Sequence, residues 1–334
     1  MVDKKVIFSH FMLVEKKEFF KLQNKLDQVA FTQTKAWLES SDFENMYKVV
    51  YYVDKVDKPS IASWGIITSK KILGNKLILN GTSTKKDITS NEYKEFFTSL
   101  ITDGYNRIDI SDIQEYSTDF EIGIRRAGFT RPITLDLCPM SLVVELDKEP
   151  KYSRMWKRNV KKSIEVGNQF VVVDNPSLED AKTFVLLFNQ LKERKGLGFS
   201  LSPEEILTLL SSSKYKLFFM EDKDHKKICS RIEYMDNQLA YDTYAANSSD
   251  GLKWGGIYHI QQSVFEYFKE CGFLKFDYGR ISPSADHMDN IYISKSMSGG
   301  KPISYNGQWH YSKSRYVDIL LFVVSYGLKK SRIY

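Results

Sequence analysis

Cysteine and histidine are scarce in this chain of 334 residues, which has three cysteines and five histidines. The cysteines lie far apart, and no two histidines have the spacing of metal ligands. The sequence therefore predicts neither a structural zinc site nor a disulfide framework. Widely spaced, unpaired cysteines are typical of a reducing compartment. We expect a cytoplasmic protein with no bound metal.

Long apolar runs are also lacking. Charged residues interrupt the first 19 residues too often for a signal peptide. The apolar C-terminal stretch holds about a dozen residues, with Asp318 at its start, whereas a membrane span needs about 20. We expect this stretch to form a buried helix or strand. The alternative is a membrane-surface anchor that uses Lys329, Lys330 and Arg332.

Three common catalytic signatures are absent: a Gly-x-Ser-x-Gly elbow, a phosphate loop ending in Gly-Lys-Ser/Thr, and His-Glu-x-x-His. Their absence disfavours the enzyme classes that depend on them. The composition, 42% hydrophobic and 27% charged, is that of a globular protein. The net charge of +6 favours polyanionic partners such as phosphates, tRNA or an anionic membrane surface. The alternative is a basic surface that serves solubility.

Helical and strand patterns follow a similar order in both halves of the chain. Strands are predicted at 46–54 and 60–81, and an amphipathic helix with Ser90 as its cap at 90–105. The second half repeats this alternation, beginning with a basic helix from about Ser153. Because the length exceeds that of one domain, we expect an α/β (mixed α+β) protein of two lobes, each a central mixed sheet flanked by helices. The lobes are expected at 1–149 and 150–334.

A glycine pair, Gly255 and Gly256, stands between a strand and a helix. Glycine lets the backbone approach a ligand closely, and the helix start offers free amides and a positive dipole end to a phosphate. With Lys253, the pair is predicted to bind the diphosphate or carboxylate of a donor. A glycine pair before a helix is also common without a ligand.

The helix from about Ser153 carries a basic stripe. Its cations at helical spacing are Arg154, Lys157, Arg158, Lys161 and Lys162, and its apolar side chains are Trp156, Val160 and Ile164. The stripe is predicted to contact tRNA phosphates, a nucleotide diphosphate or an anionic lipid head group. The alternative is a solvated face without a ligand.

Five segments follow one another in an order that a known family shares. They are TQTKAWLES, YSRMWKRNVKKSIEVGNQFVVV, LKERKG, TYAANSSDGLKWGG, and FDYGRI followed by IYISKSMSGGKPISYNGQW. In this order they resemble the FemABX-type aminoacyltransferases and their tandem-GNAT relatives. The resemblance implies two GNAT-like lobes and transfer of an acyl or aminoacyl group to an amine. It implies acyl-CoA or aminoacyl-tRNA as a co-substrate and no tightly bound cofactor.

Amine acylation needs no enzyme nucleophile, only a positioned carbonyl, a neutral amine and a route for a proton. Lys295 follows a β-rich run, 290–294, and resembles the family lysine that holds the donor and stabilises charge at the reacting carbonyl. Asp277, at the end of a strand, is a candidate to accept a proton from the attacking ammonium. The alternatives are a solvated loop for Lys295 and a turn, or a pair with Arg280, for Asp277.

Three aromatic residues complete the predicted site. Tyr244 resembles a family tyrosine at the junction of donor and acceptor and is a third catalytic candidate, with Tyr241 and Tyr278 as alternatives. Trp37 and Tyr241 are candidates for binding the acceptor. In so aromatic a protein, the alternative for each tyrosine is simple packing.

The chain departs from the family at three places. Ser294, just before the donor-holding Lys295, stands where the family has phenylalanine. The other two concern the acceptor, since neither 38–40 after Trp37 nor the segment after Gly196 carries the basic residue found in members that act on a muramyl peptide. The acceptor therefore stays open between a peptidoglycan peptide and an amino sugar of a surface polysaccharide, on a small or lipid-linked precursor at the inner face of the membrane. A second hypothesis is a non-catalytic tandem-GNAT protein that binds a polyanion such as tRNA.

Overall fold

A computed structural model describes residues 12–71, 73–132, 139–281 and 289–314, together with 316, 318, 319 and 323. The N-terminal residues 1–11 and most of the apolar C-terminal stretch, including Lys329, Lys330 and Arg332, lie outside the described residues. Within the described part, no helix is both long enough and apolar enough to cross a membrane.

Fourteen strands and eleven α-helices are named here. The strands are β1 (Met12–Leu13), β2 (Gln28–Val29), β3 (Lys48–Val53), β4 (Ile61–Lys70), β5 (Gly74–Leu79), β6 (Ser83–Thr84), β7 (Arg107–Glu115), β8 (Met140–Glu145), β9 (Gln169–Val173), β10 (Tyr215–Glu221), β11 (Lys227–Asp236), β12 (Leu239–Asn247), β13 (Lys275–Arg280) and β14 (Lys301–Ser312). The helices are α1 (Lys16–Gln23), α2 (Lys35–Ser40), α3 (Phe43–Met46), α4 (Ser90–Thr102), α5 (Thr118–Arg126), α6 (Arg154–Glu165), α7 (Leu178–Lys195), α8 (Pro203–Leu210), α9 (Ser249–Lys253), α10 (Gly256–Glu270) and α11 (Asp289–Ser296).

Side-chain caps define where several helices begin. Ser153 and Ser177 accept backbone N–H groups from the first turns of α6 and α7. At α4 the cap is Thr89, which exchanges hydrogen bonds with Glu92 in a capping box. The predicted cap, Ser90, is the first helical residue instead, because the Thr89 side chain already satisfies the free amide of the third position.

The chain folds into two compact units. Unit 1 comprises the described parts of Met1–Lys35, Asp42–Pro139 and Ser304–Tyr334. Its sheet has the order β1-β3-β4-β5-β7-β14, and only β5 and β7 are parallel. The helix α4 lies between these two strands in the chain, as a parallel connection requires.

Unit 2 comprises Ala36–Ser41 and the described parts of Met140–Ile303. Its sheet has the order β8-β13-β12-β11-β10-β9, and only β12 and β13 are parallel. The helix α10 connects the parallel pair. Both units therefore have the predicted plan, a mixed sheet flanked by helices.

The boundary between the units differs from the expected division at residue 150. The strand β8 belongs to unit 2 because its register pairs it with β13. The segment from Ser304 belongs to unit 1 because Tyr305–Ser312 pairs with β7. The short Ala36–Ser41 segment belongs to unit 2. These ladders join residues far apart in the chain, so local patterns carry no sign of them.

Two layers of helices cover the sheet of unit 2. The helices α6 and α10 bury Trp156, Val264 and Phe265 against one face, together with Phe276 of β13. The helices α7 and α8 pack against the other face, where Phe184 of α7 contacts β12. Residues of β12 therefore alternate between an α10 side and an α7 side.

The buried line of α6 differs at one position from the predicted one. Trp156 and Val160 are buried as expected, but Ile164 is 57% exposed and Ser163 is buried instead. Steps of four and then three residues keep 156, 160 and 163 on one line along a helix. Ile164 falls beside this line.

Candidate functional site

The two parallel strands of unit 2 separate partway along their length. Their register pairs Leu239–Tyr241 with Lys275–Asp277 and ends there. The next residues are Asp242 on β12 and Tyr278 on β13. We call the gap that begins at these residues the β12/β13 opening.

Lys295 places its ammonium in the β12/β13 opening. Its Nζ donates to Asp242 Oδ2 at 2.9 Å and to the Tyr278 carbonyl oxygen at 2.9 Å, and lies 4.9 Å from the centre of the Tyr278 ring. The lysine stands in the last turn of α11, where the helix dipole favours a cation. The prediction of a β-rich run at 290–294 is wrong, because these residues lie in α11 although Ile291 and Ile293 favour strands.

Asp242 is shared by two cations. Nη1 of Arg231 lies 3.2 Å from each of its carboxylate oxygens. The side chains of Asp242, Arg231 and Lys295 are 6%, 12% and 22% exposed, so the lysine reaches furthest toward solvent. Burial raises the pKa of Asp242, but the charges of Lys295 and Arg231 outweigh it and hold the pKa below its usual value.

Glu233 lies directly across from Asp242 on β11. It is fully buried, and no side chain of the described residues donates a hydrogen bond to its carboxyl oxygens, so the only hydrogen bond that acts on its pKa comes from the Thr243 backbone. Burial and then the charge of Asp242 raise the pKa of Glu233 well above its usual value, while Arg231 and Lys295 oppose this only in part. Burial and the adjacent charge of Asp242 therefore both favour the protonated form of Glu233.

Asp277, the predicted proton acceptor, is buried in β13. Its Oδ1 accepts the Gly279 N–H at 2.8 Å and lies within hydrogen-bond distance of the Ser141 hydroxyl, which also reaches the Gly279 carbonyl oxygen at 2.6 Å. Gly279 has a φ of +73°, and the register with β8 shifts here. These contacts give Asp277 a structural task at this bulge. Its role in catalysis stays a prediction.

The predicted aromatic residues meet on the α7 side of the sheet. The rings of Trp37 and Tyr244 stack with centroids 6.0 Å apart, and Phe184 lies 6.4 Å from Tyr244. Burial raises the pKa of Tyr244 to about 12. Tyr241 is buried beside Gly279. The shifted register at β12 puts Tyr244 across from Ile232 and Asp242 across from Glu233, so Tyr244 and Lys295 extend from opposite faces.

The glycine pair begins α10, and protein atoms occupy the space beside it. Gly255 has a φ of +74°, and a Cβ there would collide with the Asn159 carbonyl oxygen of α6. A Cβ on Gly256 would press on the sulfur of Cys229. Close packing of α10 on α6 and β11 thus explains both glycines. Donor binding at this turn stays a prediction.

Two lysines flank Trp254, next to the glycine pair. Lys253 and Lys162 place their ammonium groups 4.6 and 5.2 Å from the indole centre. Lys162 also donates to the Lys253 carbonyl oxygen at 2.8 Å. Lys162 of α6, predicted as part of the basic stripe, thus lies beside the turn before α10, where Lys253 was predicted to contact the donor.

The basic stripe of α6 lies on the surface. All of its cations are exposed: Arg154, Lys157, Arg158, Lys161 and Lys162. Beside them runs a groove of about 450 Å³, lined by Tyr152, Val160, Ile164 and Gln262 and by Lys157, Lys161 and Glu165. Cations above an apolar floor can bind a ligand that carries both phosphate and apolar groups.

Sequence reasoning missed Asp242, Arg231 and Glu233. A signal was available, because Arg231 and Glu233 alternate with apolar residues in a strand that reads as central. Charges at such positions are buried and need partners. Among the described residues, no three His, Cys, Asp or Glu side chains are grouped as metal ligands would be.

Solved structures match almost the entire chain. FemX matches with a TM-score of 0.73 at 14% identity, over 93% of this chain and 99% of the other. The chain has the tandem-GNAT fold of FemX. L-PGS from Bacillus licheniformis matches this fold with a TM-score of 0.64 at 14% identity, over 93% and 96% of the two chains. A tandem GNAT protein from the clavulanic acid biosynthesis pathway matches at 0.50 and 7%, over 91% and 98%.

Comparison of the sequence alone finds no relative: no protein-family model matches this chain, and no curated protein matches it. The tandem-GNAT fold therefore confirms the predicted resemblance at the level of structure. It also accounts for the repeated plan of the two units, each with one parallel strand pair joined through a helix.

Proposed function

We propose that this protein is an N-acyltransferase that acylates an amine of a cell-envelope precursor. The observation that carries the proposal is the ammonium of Lys295 in the β12/β13 opening. An ammonium has three N–H donors, and the described residues accept from two of them. The third is available to the carbonyl oxygen of an acyl donor.

The reaction forms one bond and breaks another at the same carbon. The nitrogen of a neutral amine attacks the carbonyl carbon, and the carbonyl oxygen becomes an oxyanion that Lys295 stabilises. The ester or thioester bond then breaks, the oxygen or sulfur departs with the electron pair, and the nitrogen loses a proton. Asp277 and Tyr244 are the proposed groups for the proton's route.

The donor is either acyl-CoA or aminoacyl-tRNA. The start of α10 offers its positive dipole end, with Lys253 and Lys162 at the same turn, and both donors bring phosphate groups. The N-terminal turn and its glycines Gly255 and Gly256 are therefore the proposed phosphate contact. Neither donor is a permanent cofactor in this scheme, since each is consumed in a turnover.

The proposed acceptor site is the aromatic group of Trp37, Tyr244 and Tyr241. Stacked aromatic faces suit a sugar ring or a planar peptide group. The acceptor is a peptidoglycan peptide or an amino sugar of a surface polysaccharide. A lipid-linked acceptor would place the protein at the inner face of the membrane.

Product analysis tests the proposal. The purified protein is incubated with acetyl-CoA or with charged tRNA, each against a panel of amino sugars and muramyl peptides, and products are identified by mass spectrometry. We expect one donor to give an N-acylated product that Lys295→Ala fails to make. No product from any combination would contradict the proposal.

The exposed cations of α6 favour a second candidate function, polyanion binding without catalysis. Replacing Arg154, Lys157, Arg158 and Lys161 by alanine should weaken tRNA binding and flatten its salt dependence. A complex with fewer phosphate contacts releases fewer counterions when it forms. Unchanged binding across a salt series would assign the stripe to solvation. Binding of tRNA without any product would favour the second candidate.

A further inference from the structure

Four ionisable side chains meet at the β12/β13 opening, and they form a cluster defined here as Arg231, Glu233, Asp242 and Lys295. Two are cations and two are acids. Asp242 accepts hydrogen bonds from both cations, whereas Glu233 accepts none from any side chain of the described residues. Glu233 and Asp242 are direct cross-strand neighbours, so two negative charges there would repel each other.

The neighbouring titratable groups add no charge to the cluster. The Tyr278 ring lies under the Lys295 ammonium, and burial raises the pKa of its hydroxyl. Burial also raises the pKa of the Cys229 thiol to about 12. With both groups neutral, the charge of the cluster is decided by its own four members.

We propose that Asp242 is the positioning residue of Lys295, and that Glu233 stays neutral so that the cluster keeps one positive charge for an anionic oxygen of the ligand. Arg231 and Lys295 contribute two positive charges and Asp242 contributes one negative charge. The ligand part of this proposal rests on the proposed acyl transfer, in which the oxygen is the carbonyl oxygen that becomes anionic.

The arrangement explains why a mostly buried cluster is left unbalanced. An uncompensated charge in a buried site is costly, but the cost is offset when a ligand brings the opposite charge. A fixed cation is most effective where the negative charge develops during the reaction. Asp242 fixes the ammonium between the strands, and a second ionised acid would neutralise the site before the ligand arrives.

Trace acetylation with acetic anhydride tests this charge assignment without any substrate. Only a neutral amine reacts, so the acetylated fraction of Lys295, measured by peptide mass spectrometry from pH 6 to 9, reports how firmly the ammonium is held. In Asp242→Asn the lysine keeps Arg231 as a neighbour but loses its carboxylate. We expect its acetylation rate to rise by about tenfold or more.

Glu233→Gln is the matched variant, since it makes the same isosteric change to the opposite acid. If Glu233 is neutral in the protein, this change removes no charge. We expect the acetylation of Lys295 to stay within about twofold of wild type up to neutral pH. A rise like that of Asp242→Asn would show that Glu233 is ionised and would overturn the proposal.

Two controls keep the result interpretable. Asp250→Asn removes the partner of Lys226, 3.2 Å away on the surface, and should leave Lys295 unchanged. Asp242→Glu restores the charge and should return acetylation toward wild type. If Asp242→Asn does not fold, the Glu233→Gln comparison and the Asp242→Glu variant still decide.

The labelling experiment and the product assays test different claims, so either claim can be overturned while the other stands. Equal labelling of Lys295 in wild type and a folded Asp242→Asn overturns the positioning role, whatever the product assays show. Absence of product with the labelling contrast intact overturns acyl transfer and leaves the charge assignment standing.

Discussion

Each unit buries a carboxyl group in its sheet, and the two groups have opposite surroundings. In unit 1, Asp112 of β7 accepts from Thr82 Oγ1 at 2.8 Å and from Asn306 Nδ2 and the Gln114 amide at 3.0 Å. In unit 2, Glu233 is equally buried but accepts no hydrogen bond from a side chain of the described residues.

The comparison separates an acid with a structural task from an acid for which we propose a functional one. Three donors around Asp112 tie β7 to β14 and to the segment before β6, so its oxygens serve the fold of unit 1. Glu233 links no two segments through its side chain, but it lies next to the two cations at the β12/β13 opening. Burial raises the pKa of both carboxyls; hydrogen bonds from Thr82, Asn306 and Gln114 oppose this rise at Asp112, whereas at Glu233 the only opposing hydrogen bond comes from the Thr243 backbone. We therefore expect changes at the two sites to affect different measurements.

The largest expected effect is at Lys295, the cation nearest to solvent in the cluster. Lys295→Ala should lower turnover by about 10²-fold or more, because an oxyanion contact exists mainly in the transition state. Lys295→Arg should rescue poorly, because a planar guanidinium replaces a compact charge. Steady-state kinetics check this. Full rescue by arginine with only a raised KM would show that the lysine grips a donor phosphate instead.

The next effect is on the stability of unit 1. Asp112→Ala should lower the free energy of unfolding by about 3 kcal/mol, because three buried donors lose their acceptor. Asp112→Asn is the matched control, since it keeps one acceptor oxygen and should cost less. Urea unfolding of the two variants provides the measurement. Equal, small losses in both would remove the contrast with Glu233.

The third prediction concerns Glu233 and pH. Its pKa is raised in the folded protein, so the native state holds a proton that the unfolded chain releases above about pH 4.3. Its contribution to stability is therefore present at low pH and lost as pH rises, by at most about 1.4 kcal/mol per pH unit. Urea unfolding from pH 5 to 8 should show a steeper decline for wild type than for Glu233→Gln. Parallel curves would mean that Glu233 ionises normally.

The smallest effect is at His310 in unit 1, which lies 2.5 Å from Asp109 Oδ1 and 3.0 Å from Asp318 Oδ1. Burial lowers the pKa of His310, but these two carboxylates outweigh burial and raise it. The pair should therefore stabilise unit 1 below about pH 6.5, by about 1 kcal/mol, and lose this effect as pH rises above that value. Comparing the melting temperatures of wild type and His310→Gln at pH 6 and pH 8 checks the sign. A larger difference at pH 8 would contradict it.

The helices were largely predictable because their signals are local. The basic helix predicted from about Ser153 is α6, which Ser153 caps, and Ser177 gives the same kind of local signal before α7. The segment of α11 was predicted as β-rich because Ile291 and Ile293 favour strands, and this prediction was wrong. The exchange of β8 and β14 between the expected lobes depends on pairing between distant residues, which no local pattern reports.

The candidate site was predictable only in part. Lys295 was identified by resemblance, but its partner Asp242 is 53 residues away in the chain, and their contact depends on where the parallel ladder ends. Gly255 and Gly256 were interpreted as a ligand contact, although Asn159 and Cys229 fill the space beside them. A glycine in a sequence indicates that another group approaches the backbone closely, but it does not show whether that group belongs to a ligand or to the protein.

The place of Lys295 in the chain has a consequence for how the protein is made. Both strands of the opening precede the lysine in the chain, and Lys295 comes 17 residues after Tyr278. Chains emerge from the ribosome N-terminus first, so both strands of the opening are made before the lysine that enters it. A chain truncated before residue 290 would keep both strands of the opening but lack the ammonium, and on the role we propose for Lys295 it would be a scaffold that cannot acylate.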